Sequence, residues 1–232
     1  MSAAISTDLT APANALDTEQ QILEAALNVF SRKGRDGARM QEIADLAGIN
    51  KALLHYYFRS KNGLYERVFA HVLEKLVESF GTRLSDAQDF SGLLHAVIDG
   101  YIDFVAGNLA VMRLMVTEHL AGGERIAERL WMMMQSADSP PRIFVERMSQ
   151  AAARGEIRHV DPHQTLITII SSCVFFFLIF PTVEAIVPLA KADRLAFIRQ
   201  RKKHLYDLVS RSLLPDTPDS RTNPERETPT DR

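Results

Sequence analysis

The chain has 232 residues, 46% hydrophobic and 24% charged, with a formal net charge of −2. This composition supports a packed core and excludes a globally disordered or globally basic protein, so any nucleic-acid contact must rest on local charge. The one cysteine, Cys173, excludes an intramolecular disulfide, fits a reducing cytoplasm, and sits in an apolar run where inert packing is the expected role.

Residues 1–16 are small and polar and read as a loose arm with no signal-peptide pattern. "TEQQ", Thr18 to Gln21, reads as a capping box opening the first helix, with Ile22, Ala26, Val29 and Phe30 on one face. "RKG" closes that helix, with Gly34 suited to a left-handed cap. Met40, Ile43, Ala44 and Ala47 mark a short second helix, Gly48 turns the chain, and a third helix covers roughly residues 51–58. A fourth starts after Ser60, with Leu64, Val68, Val72, Leu76 and Phe80 stepping by four.

Beyond residue 89 the helices lengthen. Leu94, Val97, Ile98, Tyr101, Ile102 and Val105 form one stripe, and further helices are predicted near 109–121, 124–136 and 140–155. "DPHQ" at 161–164 supplies an acidic N-cap, proline at the first helical position and glutamine at the third. It opens an apolar helix expected to stop at Pro181. Its run "LITIISSCVFFFLIF" is shorter than the ~20 residues of a membrane span, so it reads as a buried or intersubunit helix and no membrane partner is expected. The last helix, roughly 191–214, should turn Leu195, Ile198, Leu205, Leu208 and Leu213 inward. Residues 215–232, rich in Pro, Thr and charge, read as a disordered tail. The fold class is all-α.

The segment "GINKALLHYYFRSK", 48–61, carries the most specific chemistry. A short helix, a glycine turn and a second short helix form a helix-turn-helix pattern. At ~100° per residue, placing Leu54 on the buried face puts Asn50, Tyr57 and Phe58 on or near it. Ala52 and Tyr56 then point outward, His55 and Leu53 flank them, and Lys51 lies near the N-terminal end. A cation, a methyl, an imidazole and a phenol suit a DNA major groove, although an amphipathic helix with a solvated face gives a similar mixture. Local charge favours DNA. Between Ser31 and Gly63 seven cations face three anions, an excess of four in a chain of net −2. Arg39 and Lys61 open the second and fourth helices, where free backbone N–H groups favour phosphate.

"ILEAALNVFSRKG…MQEIADLAGINKALLHYYFRSKNGLYERVF", roughly Gln21 to Phe69, resembles the DNA-binding domain of the TetR (tetracycline-repressor) family of bacterial transcription regulators. The later "GEIRHVDPH" is similar to a weaker junction in that family. The resemblance implies a helix-turn-helix head at 17–62, a helical effector-binding and dimerisation body at 63–214, and a homodimer on an inverted-repeat operator in double-stranded DNA. It further implies a repressor that leaves DNA when a small-molecule effector binds. By position, Lys51, Ala52, Leu53 and His55 would face bases, and Tyr56, Tyr57 and Lys61 phosphates. Ala38 and Arg39 stand where the family often has Ser or Thr, so phosphate contact there would fall to Arg39 or the backbone.

For the body, Met112, Met115, Trp131 and Met134 are candidate effector contacts, as is Phe176 of the apolar helix, although at helical spacing such residues more often form core. Glu118 and His119 could supply polar recognition, or simply lie in solvent or in a local salt bridge. Phe175, Phe176 and Phe180, with Ile198, Leu205 and Leu208 of the last helix, are candidate dimer contacts, burial of the apolar helix within a single subunit being the alternative. His159, Asp161 and His163 alternate, but capping by Asp161 explains them more simply than a metal. No HExxH, cysteine pair, phosphate loop or GxSxG is present, so no cofactor and no enzymatic activity are expected. The competing reading is a small-molecule binding protein without operator function.

Overall fold

The computed structural model describes residues 11–136 and 138–215, without the side chains of 11–16 and Thr82. Most of the predicted arm and nearly all of the predicted tail lie outside the described residues. Among the described residues every regular element is a helix: α1 (Ala11–Gly37), α2 (Met40–Leu46), α3 (Lys51–Tyr57), α4 (Lys61–Asp86), α5 (Phe90–Gly107), α6 (Leu109–Leu120), α7 (Glu124–Met134), α8 (Pro140–Ala153), α9 (Pro162–Ile186), α10 (Pro188–Ala192) and α11 (Arg194–Leu213).

The predicted stripes become the core. Ile22, Ala26, Val29 and Phe30 of α1, Ile43 and Ala44 of α2, Leu54 of α3 and Leu64 and Val68 of α4 are fully buried together. α4 continues from this head into the body, packing on α1, α5 and α8, while α1 also packs on α6. α5 lies against α9 and α11, and α8 against α9. Side-chain caps fix several starts: Ser60 accepts from Gly63 N at 3.0 Å, Asp89 from Gly92 N at 2.7 Å, and Asp193 from Ala196 N at 2.8 Å. Asp161 caps α9 as its sequence predicts, accepting from His163 N at 2.8 Å and Gln164 N at 3.3 Å. With these two backbone hydrogen bonds the cap holds the Asp161 carboxyl below the usual carboxylate range.

Three elements depart from expectation. α1 begins at Ala11, so Thr18 and Gln21 lie inside the helix rather than at its start. Ala11, Ala13 and Ala15 carry strong helix propensity upstream of the presumed box. The break expected at Gly34 does occur, at φ 66° and ψ 176°. α9 runs through Pro181 to Ile186, 25 residues in all. Proline there removes one N–H, but Phe177, Phe180 and Val183 around it pack on the core and hold the helix together. By length and composition α9 could cross a membrane, but it packs on α5, α6, α8, α10 and α11 within the bundle. Finally, Leu195 and Leu208 of α11 point outward.

Candidate DNA-binding surface and ligand cavity

The turn between α2 and α3 is set by Gly48, whose φ of 69° suits glycine. Gly48 N donates to Asp45 O at 3.2 Å and Ile49 N to Ala44 O at 3.0 Å, the paired bonds of a Schellman cap. Asn50 then caps α3, its Oδ1 accepting from Leu53 N at 2.8 Å. Asn50 is therefore exposed rather than on the buried face, and its side chain holds the start of the helix. Leu54 is fully buried, Tyr57 and Phe58 pack partly against the core, and Lys51, Ala52, Leu53, His55 and Tyr56 are exposed.

The surrounding charges divide into two groups. Glu42 pairs with Lys33 at 2.7 Å and Arg32 at 3.8 Å, Asp36 with Arg35 at 3.1 Å, and Asp45 accepts from Gln41 Nε2 at 2.7 Å. Arg39, Lys51 and Arg59 are exposed, and no described side chain pairs with them. Lys61 is different. Its Nζ donates to Asp36 O at 3.1 Å and Ala38 O at 3.2 Å, tying the start of α4 to the α1–α2 junction. One of its three donors remains for another acceptor.

The body encloses a cavity of about 420 Å³ between α4, α5, α6, α7, α8 and α9. Of the seven candidate effector residues, Met112, Met115 and His119 line it. The other four do not. Trp131 is 67% exposed and Met134 also faces solvent. Phe176 is buried among Phe177, Phe180 and Phe197, with ring centroids 5.0, 5.3 and 6.2 Å away. Glu118 turns away from the cavity into a polar bridge. Sequence reasoning missed Phe80, Tyr101, Phe104 and Phe144 as lining. Phe80 and Tyr101 belong to recognised apolar stripes, but a stripe does not say whether it meets another helix or a void.

In that bridge, the Glu118 carboxylate accepts from Tyr65 Oη at 2.6 Å and Arg125 Nη1 at 2.7 Å. Arg125 also pairs with Glu66 at 3.1 Å, and Arg129 with Glu66 at 3.4 Å. Burial alone would raise the Glu118 pKa. The Tyr65 and Arg125 hydrogen bonds and the Arg125 charge outweigh it, so the carboxyl titrates below its ordinary value. Burial, then the hydrogen bond to Glu118, pushes the Tyr65 hydroxyl up. The bridge ties α4, four residues beyond Lys61, to α6 beside His119 of the cavity wall.

The dimer candidates also divide. Phe175 and Leu208 are each 59% exposed, whereas Phe176 is 8% and Leu205 1% exposed, and Phe180 and Ile198 are buried too. The last four belong to the subunit's own core. Arg201 reinforces that burial, its guanidinium 5.4 Å from the Phe176 ring centroid and its Nη2 donating to Ser172 O at 3.0 Å. Sequence reasoning missed Ile167, Leu178, Ile186 and Leu195, which join Phe175 and Leu208 as exposed apolar side chains on α9 and α11. Burial pushes the Cys173 thiol up to about 12, which keeps it protonated and inert. Among the described residues no group of three or more His, Cys, Asp or Glu side chains converges as a metal site.

The family described as "Bacterial regulatory proteins, tetR family" matches residues 22–68, from α1 to the second turn of α4. The HTH-type transcriptional regulator RutR of Escherichia coli is 27% identical over 205 residues, covering 85% of this chain and 91% of that protein. A transcriptional regulator from Streptomyces coelicolor shares the fold, with a TM-score of 0.62, 24% identity and coverage of 84% of this chain and 98% of that one. So does AibR, solved with isovaleryl coenzyme A and operator DNA, with a TM-score of 0.63, 21% identity and coverage of 82% and 97%. Residues 22–68 thus match the tetR family of bacterial regulatory proteins over a helix-turn-helix whose second helix presents its polar face to solvent, and the chain as a whole is similar in sequence to an HTH-type transcriptional regulator.

Proposed function

We propose that this protein is a homodimeric repressor that binds an inverted-repeat operator and leaves it when a small molecule occupies the body. The observation that carries the reading is the outward face of α3. Lys51, Ala52, Leu53, His55 and Tyr56 project from a helix held by the Asn50 cap and the Leu54 anchor, with Arg39, Lys51 and Arg59 unpaired around them. Unpaired cations beside a polar helix face are what phosphate binding and groove readout require. In this reading residues 17–62 form the head and 63–214 the effector-binding and dimerisation body. Lys51, Ala52, Leu53 and His55 meet bases. Arg39, Tyr56, Tyr57 and the spare donor of Lys61 meet phosphate, and Asn50 positions the helix.

The exposed apolar side chains of α9 and α11 supply the dimer face, and two-fold pairing would present two copies of α3 to successive major grooves. The cavity is the effector site, lined by Met112, Met115 and His119 among others. AibR, captured with both an acyl thioester and operator DNA, supports a fold that serves both partners. A coupling of ~3 kcal/mol between the two sites would change operator affinity about 150-fold. The protein would act in the cytoplasm, where its DNA lies. The test is selection of bound genomic fragments by the full-length protein, followed by footprinting. An inverted repeat protected by a dimer is expected, and full-affinity binding by a demonstrated monomer would refute the assembly.

A further inference from the structure

We infer that the cavity takes an uncharged, mainly hydrocarbon ligand with one hydrogen-bond acceptor, received by the hydroxyl of Tyr101. The inference rests on reading this cavity as the effector site and adds the chemistry of what fills it. Of the twenty-five residues that line it, only Tyr101, His119 and Ser171 are polar, and none carries a fixed charge. An anion or cation drawn inside would lose its hydration with no opposite charge to replace it. At about 420 Å³ the space matches a small organic ligand, since such sites span about 300–1,000 Å³.

The three polar groups are not equivalent. His119 and Ser171 are exposed, whereas Tyr101 is half-buried on α5, its ring 6.0 Å from that of Phe80. Its hydroxyl has no hydrogen-bond partner among the described residues. Burial pushes that hydroxyl up to about 12, so at neutral pH it is a proton donor. A donor lining an apolar cavity is costly without an acceptor, and a ligand carbonyl, ester or hydroxyl oxygen supplies one. His119 Nδ1 lies 2.8 Å from Met115 O. A carbonyl can only accept, so Nδ1 carries the proton there and only Nε2 is left for another partner.

Gly100 sets the size of the cavity at its aromatic end. A Cβ there would come within 2.9 Å of Phe80 Cε1, so Phe80 packs on bare α5 backbone and leaves the space beside it open. A methyl at residue 100 would force the ring to shift and alter that end of the cavity.

The test is displacement of the neutral fluorophore N-phenyl-1-naphthylamine from the full-length protein, without DNA and below micellar concentrations. Competitors are methyl decanoate, decanol, decanoate and decyltrimethylammonium. The ester and the alcohol should displace the probe at about 100-fold lower concentration than either ion, the cost of an unpaired buried charge. Tyr101→Phe should weaken the ester by about 3- to 10-fold, one hydrogen bond. Gly100→Ala should weaken methyl decanoate more than methyl hexanoate, which keeps the inference testable if the tyrosine variant misfolds. Tighter binding of decanoate points to an anionic ligand and overturns it, as does tighter binding of the ammonium, for which the aromatic walls would then act as a cation cage. Failure of the probe or of every competitor to bind overturns it too. The regulator reading fails separately. If the ester binds as expected yet leaves operator affinity unchanged in a shift assay, the ligand chemistry stands and the switch does not.

Discussion

Replacing Tyr65 with Phe removes one oxygen and leaves the ring, which packs 4.8 Å from Phe30 and 5.1 Å from Phe69 by centroid, in place. The lost group is the donor 2.6 Å from Glu118, a carboxylate that is itself buried. Arg125 keeps its bond to the other oxygen at 2.7 Å, so Glu118 stays ionised but one oxygen goes without a donor. A hydrogen bond to a charged group contributes about 1.5–3 kcal/mol. A loss near 2 kcal/mol corresponds to a fall in Tm of about 4–8 °C for a chain of this length. Circular dichroism melting at pH 7 measures it.

The pH dependence gives a second, independent reading. The Glu118 pKa is lower folded than its ordinary 4.5, so its stabilisation is complete above that value and drains as the pH falls through the folded value. The gap between wild type and Tyr65→Phe should therefore hold from pH 7 to about pH 5 and narrow in acid. Equal melting temperatures at pH 7, or a gap that widens in acid, would refute the bridge. Since the bridge joins α4 near the DNA head to α6 beside the cavity, the variant should also weaken effector-driven release of the operator.

Leu54→Ala empties the fully buried anchor of α3 and should cost about 2–5 kcal/mol, with DNA binding lost alongside head stability in a denaturant titration. Lys51→Ala and His55→Ala should relax preference at particular base pairs by ~1–3 kcal/mol each, whereas Arg59→Ala should weaken all sequences alike and flatten the salt dependence by about one contact per subunit. Lys61→Ala should do both structural and electrostatic harm, lowering head stability through the lost bonds to Asp36 O and Ala38 O as well as uniform DNA affinity. Leu208→Glu, on the exposed face of α11, should shift the protein toward monomer in sedimentation without lowering the stability of the subunit fold, whereas Leu205→Glu should unfold it.

The sequence by itself determined the elements with a local cause. The outward face of α3 was legible because, with Leu54 as the buried anchor, a 3.6-residue period turns Ala52 and Tyr56 to solvent. Asn50, expected near the buried face, lies exposed because it caps the helix instead. The Gly48 turn and the Asp161 cap were legible because their hydrogen bonds close within five residues. Tertiary structure decided the rest. Along α9 Phe175 and Phe176 are adjacent and equally apolar, and a helix apolar nearly all round has no period to say which ring goes inside; packing against α11 chose Phe176. Leu205 and Leu208 of α11 divide in the same way. Glu118 reads as a surface charge until Tyr65, 53 residues earlier, and Arg125, seven later, converge on it and replace its water. The cavity is the furthest from sequence, because its walls are the ordinary core stripes of six helices, and a void exists only where those stripes fail to meet.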